Sequence, residues 1–329
     1  MLISFYKRNS VQAAAFLPVL AIVLWIFAFV NPLPVEGRHL MPLYECVVFV
    51  IGQYPYITYF FSIALILTGG YLLNSFAVKH EISDANSYLP ALLYIVLMSA
   101  FPSQLSMHPV IFSNVFLILA LNKVMNTFRK DKAYFEVFDA GTFIALATLF
   151  YFPAFIFFPI IWVGLILIRP FVWREWVISS IGFLIPFIFV WSYYFWYDSL
   201  DYLLYEKVFY PLSARFIDLY MPWSFYFLIG ILLLICILGI GKLFTRLTTG
   251  SVQSRNNLWL LIWTFALSII SFLIAPSLSV HYFSFAVIPV SVHAANYFLS
   301  ERKTWLGEVV FYLLLTAIIF NQFINFSAL

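Results

Sequence analysis

Residues 56–78 read YITYFFSIALILTGGYLLNSFAV, a run of 23 residues without a charge. A helix of about 20 apolar residues crosses the hydrocarbon core of a bilayer, so this run predicts a membrane-spanning helix. The rest of the chain has the same character, since 64% of its 329 residues are hydrophobic and only 9% are charged. One water-soluble core cannot bury that much apolar surface. The apolar residues run in blocks and do not alternate, which excludes a transmembrane β-barrel and predicts an all-α polytopic membrane protein.

The apolar blocks predict about eleven transmembrane helices in one integral membrane domain, residues 1–329. Lys7 and Arg8 precede the first block, which is too long for a signal peptide and has no suitable cleavage site, so we interpret it as a retained helix. The predicted spans are roughly 11–30, 56–78, 86–102, 108–122, 138–151, 153–169, 176–196, 222–244, 257–275, 281–299 and 306–325.

The positive charges predict how these spans are oriented. With a cytoplasmic N-terminus, fourteen of the 17 lysines and arginines fall on the cytoplasmic side of the predicted spans. Only Arg38, Lys207 and Arg215 fall on the external side. Because positive charges concentrate in cytoplasmic loops, this bias supports the count and places the C-terminus outside. We therefore expect a multi-pass protein of the bacterial inner (plasma) membrane that contacts membrane lipids.

Four predicted spans are unusually short and form two pairs, each joined by a tight turn with proline. Pro102 and Pro109 flank the first turn, and Pro153 lies in the second. The short helices either end partway through the membrane, with polar ends around an enclosed cavity, or tilt within a locally thin bilayer.

The external loops carry the residues that suit chemistry at a membrane surface. Arginine forms a planar fork for phosphate oxygens, and a partly desolvated carboxylate can serve as a general base. In the first external loop, residues 31–55, an interrupted apolar stretch at 43–52 predicts a short helix lying at the interface. Tyrosine and tryptophan near the end of span 176–196 are expected to form an interfacial belt. The ionisable residues of the first loop are Glu36, Arg38, His39 and Glu45.

The sequence Glu36-Gly37-Arg38-His39, followed by Glu45, resembles the first-loop motif of the GT-C glycosyltransferases. That motif often reads Asp-Glu-Gly-Arg-Tyr, so Val35 stands at the Asp position and His39 at the Tyr position. The stretch from Asp139 to Thr148 also resembles the glycine-containing start of a middle helix in that superfamily. Residues 1–200 would form the GT-C-like module with its short helix pairs, and residues 201–329 the C-terminal helices. The chain is also similar to an uncharacterised family of bacterial inner-membrane proteins.

The resemblance implies transfer of a sugar from a polyprenyl-phosphate carrier to an acceptor on the external face. Glu36 would be the catalytic base, with Arg38 and Arg215 as ligands of the donor phosphate. GT-C relatives use a carboxylate pair for a divalent ion. Because Val35 replaces one carboxylate, the binding of a divalent metal is left open, and we assign no metal ligands. The other expected substrate-binding residues are His39, Glu45, His108 and His281.

Two other functions stay open. A non-catalytic subunit of a larger enzyme or secretion complex, with protein partners, fits the missing aspartate at position 35. A transporter of lipid or solute fits less well, because almost no ionisable residue lies within a span. The composition excludes a soluble enzyme, a disordered chain and a disulfide scaffold. Phosphate loops, dinucleotide fingerprints, zinc spacings and nucleophile elbows are absent, and nothing in the sequence suggests nucleic-acid binding.

Overall fold

A computed structural model describes residues 2–7, 11–30, 40–83, 87–209, 223–274, 280–301 and 304–327. These residues form helices and short turns, without a β-strand, which confirms the all-α class. The α-helices are α1 (Leu2–Tyr6), α2 (Val11–Leu24), α3 (Ile26–Val30), α4 (Pro42–Ile51), α5 (Pro55–Lys79), α6 (Leu89–Met98), α7 (Pro109–Met125), α8 (Tyr134–Phe150), α9 (Pro159–Ile168), α10 (Trp173–Trp196), α11 (Leu200–Tyr202), α12 (Trp223–Thr249), α13 (Val252–Ile274), α14 (Val287–Ser300) and α15 (Thr304–Ser327). Three 3₁₀ turns span Pro102–Leu105, Phe152–Phe157 and Val280–Phe285, and a π-helical turn spans Leu203–Phe209.

Each predicted span coincides with one helix, or with two helical segments in succession. Within the described residues, three helices are long and apolar enough to cross a membrane, namely Pro55–Lys79, Trp173–Trp196 and Trp305–Ile324. Shorter apolar helices accompany them. The chain is therefore an all-α membrane protein. Within the first predicted span, α2 and α3 meet at Trp25.

The short helix α6 lies at the centre of the bundle, and all ten of its residues are buried. It packs against α2, α5 and α14, so its backbone and side chains are enclosed by protein. A Cβ atom at Gly69 of α5 would come within 2.8 Å of the Tyr94 hydroxyl, and this explains a glycine at that point. Helix α9 also has ten residues, whereas α7 and α8 have 17 each and exceed their predicted lengths.

Helix α8 packs between α7 and α10, and its approach to α10 is close. A Cβ atom at Gly141 would lie 2.3 Å from the Ser179 carbonyl oxygen. A Cβ atom at Gly182 would lie 2.3 Å from the Phe138 carbonyl oxygen. The two backbones therefore touch where two glycines face each other, as in many membrane helix pairs. Most of α10 outside this contact is not buried by other parts of the chain.

One end of the bundle, which we call the basic end, consists of residues 80–83, 126–133, 169–175 and 250–257. Its loops are joined by many hydrogen bonds. The Arg169 guanidinium donates to the carbonyl oxygens of Thr127 and Lys130 at 2.8 and 2.6 Å. The Ser254 hydroxyl donates to the Glu81 carbonyl at 2.9 Å, and the Asn257 amide to the His80 carbonyl at 3.1 Å.

At the other end of the bundle, the three 3₁₀ turns follow or precede the short helices and pack together. The Gln104 amide donates to the Ser284 hydroxyl at 2.8 Å, and the Asn114 amide donates to the Ser284 carbonyl at 2.9 Å. All three side chains are buried. The polar side chains at these ends of the short helices thus lie inside the protein and are paired with one another.

Candidate functional site

Helix α4 is anchored beside the turn Pro102–Leu105 by one aromatic residue. Pro42 occupies its first turn, where the missing N–H costs no hydrogen bond. Tyr44 is buried, its hydroxyl donates to the Met107 carbonyl at 2.8 Å, and its ring packs edge-on against Phe112. This fixes α4 to the start of α7 and leaves Phe49 largely exposed. A helix at the predicted position 43–52 is therefore confirmed, while its place at a membrane interface stays a prediction.

The last turns of α10 and the chain that follows them face α4. After Trp196 the chain reverses at Asp198, whose φ of 49° lies in the left-handed region. The Ser199 amide donates to the Tyr194 carbonyl at 2.9 Å, which closes this turn. The reversal brings the π-helical turn Leu203–Phe209 back toward α4.

A groove of about 840 Å³ lies between these two walls. Its surface is mostly apolar, and tyrosines contribute aromatic faces and hydroxyl groups. Such a groove fits a ligand with a long apolar part and a polar head. From α4 it is lined by Pro42, Leu43, Glu45, Cys46, Phe49 and Val50, and from the second wall by Phe189, Val190, Tyr193, Tyr194, Tyr197, Ser199 and Tyr202.

An ion pair closes one side of the groove. The Lys207 ammonium is bonded to the Glu45 carboxylate and lies 5.2 Å from the centre of the Tyr202 ring. The Lys207 side chain is only 2% exposed, whereas the Glu45 side chain is 46% exposed and lines the groove. The buried charge is therefore compensated by a carboxylate that a ligand in the groove can reach.

A second groove, of about 570 Å³, lies on another side of α10. It is lined by apolar side chains and Ser192, without a charged residue. Trp191, Phe195 and Trp196 form much of its wall. Because charge selects a ligand's head group, the groove that contains Glu45 is the stronger candidate site.

The structure brings some of the predicted site residues near this groove. Glu45 lines it, and His108 is buried at the start of α7, next to the Met107 carbonyl that anchors α4. The backbone of His281 belongs to the turn Val280–Phe285, which packs against the turn Pro102–Leu105. His108 is not among the described residues that line the groove. Glu36, Arg38, His39 and Arg215 lie outside the described residues.

Sequence reasoning did not select Lys207 or the tyrosines as site residues. Lys207 pairs with a residue 162 positions earlier, so no local pattern could indicate that contact. Tyr193, Tyr194 and Tyr197 were expected to form an interfacial belt, and all three line the groove. The three tyrosines are one, three and four positions apart, so they lie along one side of a helix. This spacing was the signal that could have identified them as a group.

The second resemblance, at residues 139–148, lies within α8 and contributes no residue to the lining of the groove. The Lys123 ammonium lies 2.6 Å from the Asp139 carboxylate, and Gly141 serves the contact with α10. Both residues therefore have a structural role. Among the residues that the structure describes, no group of three or more His, Cys, Asp or Glu side chains is placed to hold a metal ion.

The model of one protein family matches residues 40–329, which is most of the chain, and that family is described as "Family of unknown function (DUF6427)". The matched range begins directly after His39 and includes both walls of the groove. No curated protein and no solved structure matches the chain.

Proposed function

Because the chain belongs to the family of unknown function DUF6427, we propose its function from its own residues. It is a GT-C-like glycosyltransferase of the bacterial inner membrane. It moves a sugar from a polyprenyl-phosphate donor to an acceptor on the external face. Glu36 is the base, and Arg38 and Arg215 bind the donor phosphate. The groove between α4 and α10 carries this proposal, because it combines an apolar wall for a lipid chain with a charged pair at its side.

Eleven spans, a cytoplasmic N-terminus and an external C-terminus belong to the same proposal. Support comes from contacts between loops that the charge bias assigns to one side. Arg169 joins the two loops at 127–131 and 169–175, and Asn257 reaches residue 80. On the opposite side, the Gln322 amide donates to the Ser99 carbonyl at 2.6 Å. Each of these contacts joins loops or span ends that the proposed topology places on the same side.

Cys46 offers a direct test of this orientation, because it is exposed and lines the groove. In a Cys236→Ser background, a membrane-impermeant maleimide added to intact cells or spheroplasts should label Cys46. Labelling only after the membrane is opened would place the groove on the cytoplasmic side and contradict the proposed topology.

Transfer itself is tested in membranes that contain the protein, with labelled polyprenyl-phosphate sugars of several kinds as donors. The wild-type protein should release polyprenyl phosphate as sugar moves to an acceptor. The Glu36→Gln variant, expressed to the same level, should lose at least about 100-fold in rate, the usual contribution of a general base. Equal transfer by Glu36→Gln would refute the role of Glu36.

Val35 favours a second function, since it removes the aspartate with which GT-C relatives begin the first-loop motif. In that case the chain is a non-catalytic subunit of a membrane complex. Co-purification with another membrane protein at fixed stoichiometry, with no effect of Glu36→Gln on the activity of the complex, would favour the subunit over the enzyme.

A further inference from the structure

The two partners of the Glu45–Lys207 pair differ sharply in their exposure. The Lys207 ammonium is enclosed, and its side chain is 2% exposed. Glu45 is 46% exposed and lines the groove from α4, whereas Lys207 belongs to the π-helical turn that directly follows Tyr202 at the end of the opposite wall. The ion pair therefore joins the two walls, and one of its two members remains open to the groove.

A buried ammonium group needs a compensating anion, because desolvation of an isolated charge is costly. In the described part of the chain, Glu45 supplies that anion. The Tyr202 ring, 5.2 Å from the ammonium, adds a cation–π contact that does not depend on Glu45. If Glu45 moves into the groove, Lys207 stays in place and requires a new anionic partner.

The groove decides what kind of anion can take that place. Its walls continue from Glu45 along Phe49, Val50, Phe189 and Val190, which suit an alkyl or polyprenyl chain. A phosphate group offers more acceptor oxygen atoms to an ammonium than a carboxylate does, and as a monoester it also carries more negative charge. The ligand with both properties is a phosphate carried on a long lipid chain.

We propose that Lys207 is an anion-binding residue at the edge of the groove, in addition to Arg38 and Arg215, that Glu45 is its resting counter-ion, and that a lipid-linked phosphate displaces Glu45 from Lys207. Binding then releases a carboxylate into the groove beside the bound head group. This inference deepens the proposed function, on which it rests for the identity of the substrate. Its test measures binding alone and needs no sugar transfer.

The experiment uses the purified full chain in detergent, with Cys236→Ser as background. The rate at which Cys46 reacts with a maleimide reports whether the groove is occupied. Three probes are compared: a polyprenyl monophosphate, the polyprenol with the same chain, and inorganic phosphate. Lys123→Met serves as the matched control, because it removes a lysine from the Lys123–Asp139 ion pair between α7 and α8, which does not touch the groove.

Polyprenyl monophosphate should protect Cys46 in the wild-type protein and in Lys123→Met, whereas the polyprenol and inorganic phosphate should not. Glu45→Gln leaves the buried ammonium without its carboxylate, so it should bind the lipid phosphate at least about tenfold more tightly. Lys207→Met should lose the preference for phosphate over alcohol, and Lys207→Arg should keep it.

Weaker binding in Glu45→Gln would overturn the inference, because it would make the pair a structural link only. Protection by inorganic phosphate alone would assign the site to a free anion, and equal protection by the polyprenol would remove the role of charge. If Lys207→Met does not fold, the sign of the Glu45→Gln effect still decides. If Glu45→Gln binds the lipid phosphate more tightly but the wild-type protein transfers no sugar, the proposed enzyme would be refuted and this inference would stand.

Discussion

The bundle has an ion pair of a different kind at each end. At the basic end, the Arg169 and Glu175 side chains are 6% and 2% exposed, and their closest charged atoms lie 3.0 Å apart. On the side of the groove, Lys207 is as well enclosed, but its partner Glu45 is 46% exposed. An ion pair with both members buried can only stabilise the fold, whereas an ion pair with one exposed member can exchange its partner.

The largest effect is expected from breaking the closed pair. Arg169→Met removes the guanidinium that also donates to three loop carbonyls, and it leaves Glu175 buried without its cation. Removing one partner of a buried pair costs about 3–5 kcal/mol. Thermal unfolding in detergent should therefore show a large loss of stability or little folded protein.

Lys123→Met is the control for that substitution, because the Lys123–Asp139 pair is about one-third exposed on both sides. An exposed pair contributes about 0–1 kcal/mol. If the two substitutions lowered the unfolding temperature equally, burial would not distinguish the two pairs and the contrast would fail.

The next largest effect is expected where α10, which forms one wall of the groove, packs against α8. Gly182→Ala would place a Cβ atom 2.3 Å from the backbone oxygen of Phe138, so α8 and α10 would have to separate. Overpacking of this kind costs about 1–3 kcal/mol. Gly230→Ala is the control, since a Cβ atom there meets nothing within 4 Å. Equal unfolding temperatures for the two variants would rule out the close backbone contact.

The open pair should respond asymmetrically to removal of its members. Lys207→Met leaves Glu45, which is half exposed and can be hydrated, so the cost should be about 1 kcal/mol or less. Glu45→Gln leaves the enclosed ammonium unpaired and should cost more. Thermal unfolding of both variants without lipid provides the comparison. A greater loss in Lys207→Met would contradict the assignment of the enclosed and open members.

The smallest effect is a pH dependence at the basic end. Burial lowers the pKa of His80 below its usual 6.5, and a neighbouring lysine, Lys79, acts in the same direction. The unfolded chain therefore takes up a proton at a higher pH than the folded chain does. Stability is complete above about pH 6.5 and falls as the pH decreases toward the lower folded value.

Unfolding temperatures measured between about pH 7.5 and about pH 5 should show this decrease. His80→Gln removes the titrating group, and its amide replaces the contact between His80 Nε2 and Asn122 Oδ1, 2.9 Å apart. The decrease should be smaller in that variant. An identical pH dependence in both proteins would exclude His80 as a source.

The helices could be predicted because their signal is local. Apolar blocks and the prolines at residues 102, 109 and 153 located the helices and the tight turns between them. As a positive charge, Arg169 was expected on the cytoplasmic side of the membrane. Its hydrogen bonds to residues 127–131 depend on how the helices pack and could not be predicted.

The candidate site was predicted only in part for the same reason. Glu45 was selected because it is an ionisable residue of the first external loop and follows the motif at residues 36–39. Its partner Lys207 comes from a turn that only the folded chain brings back to α4. The tyrosines were assigned to the membrane surface because interfacial belts are general, whereas their role as a groove wall depends on where α4 packs.

The most direct test of the groove as the substrate site is the structure of the protein bound to a polyprenyl phosphate in a lipid nanodisc. The account predicts phosphate density within ion-pair distance of Lys207, chain density along the α10 wall, and Glu45 turned away from Lys207. Lipid phosphate density elsewhere, with the Glu45–Lys207 pair intact and the groove empty, would contradict it.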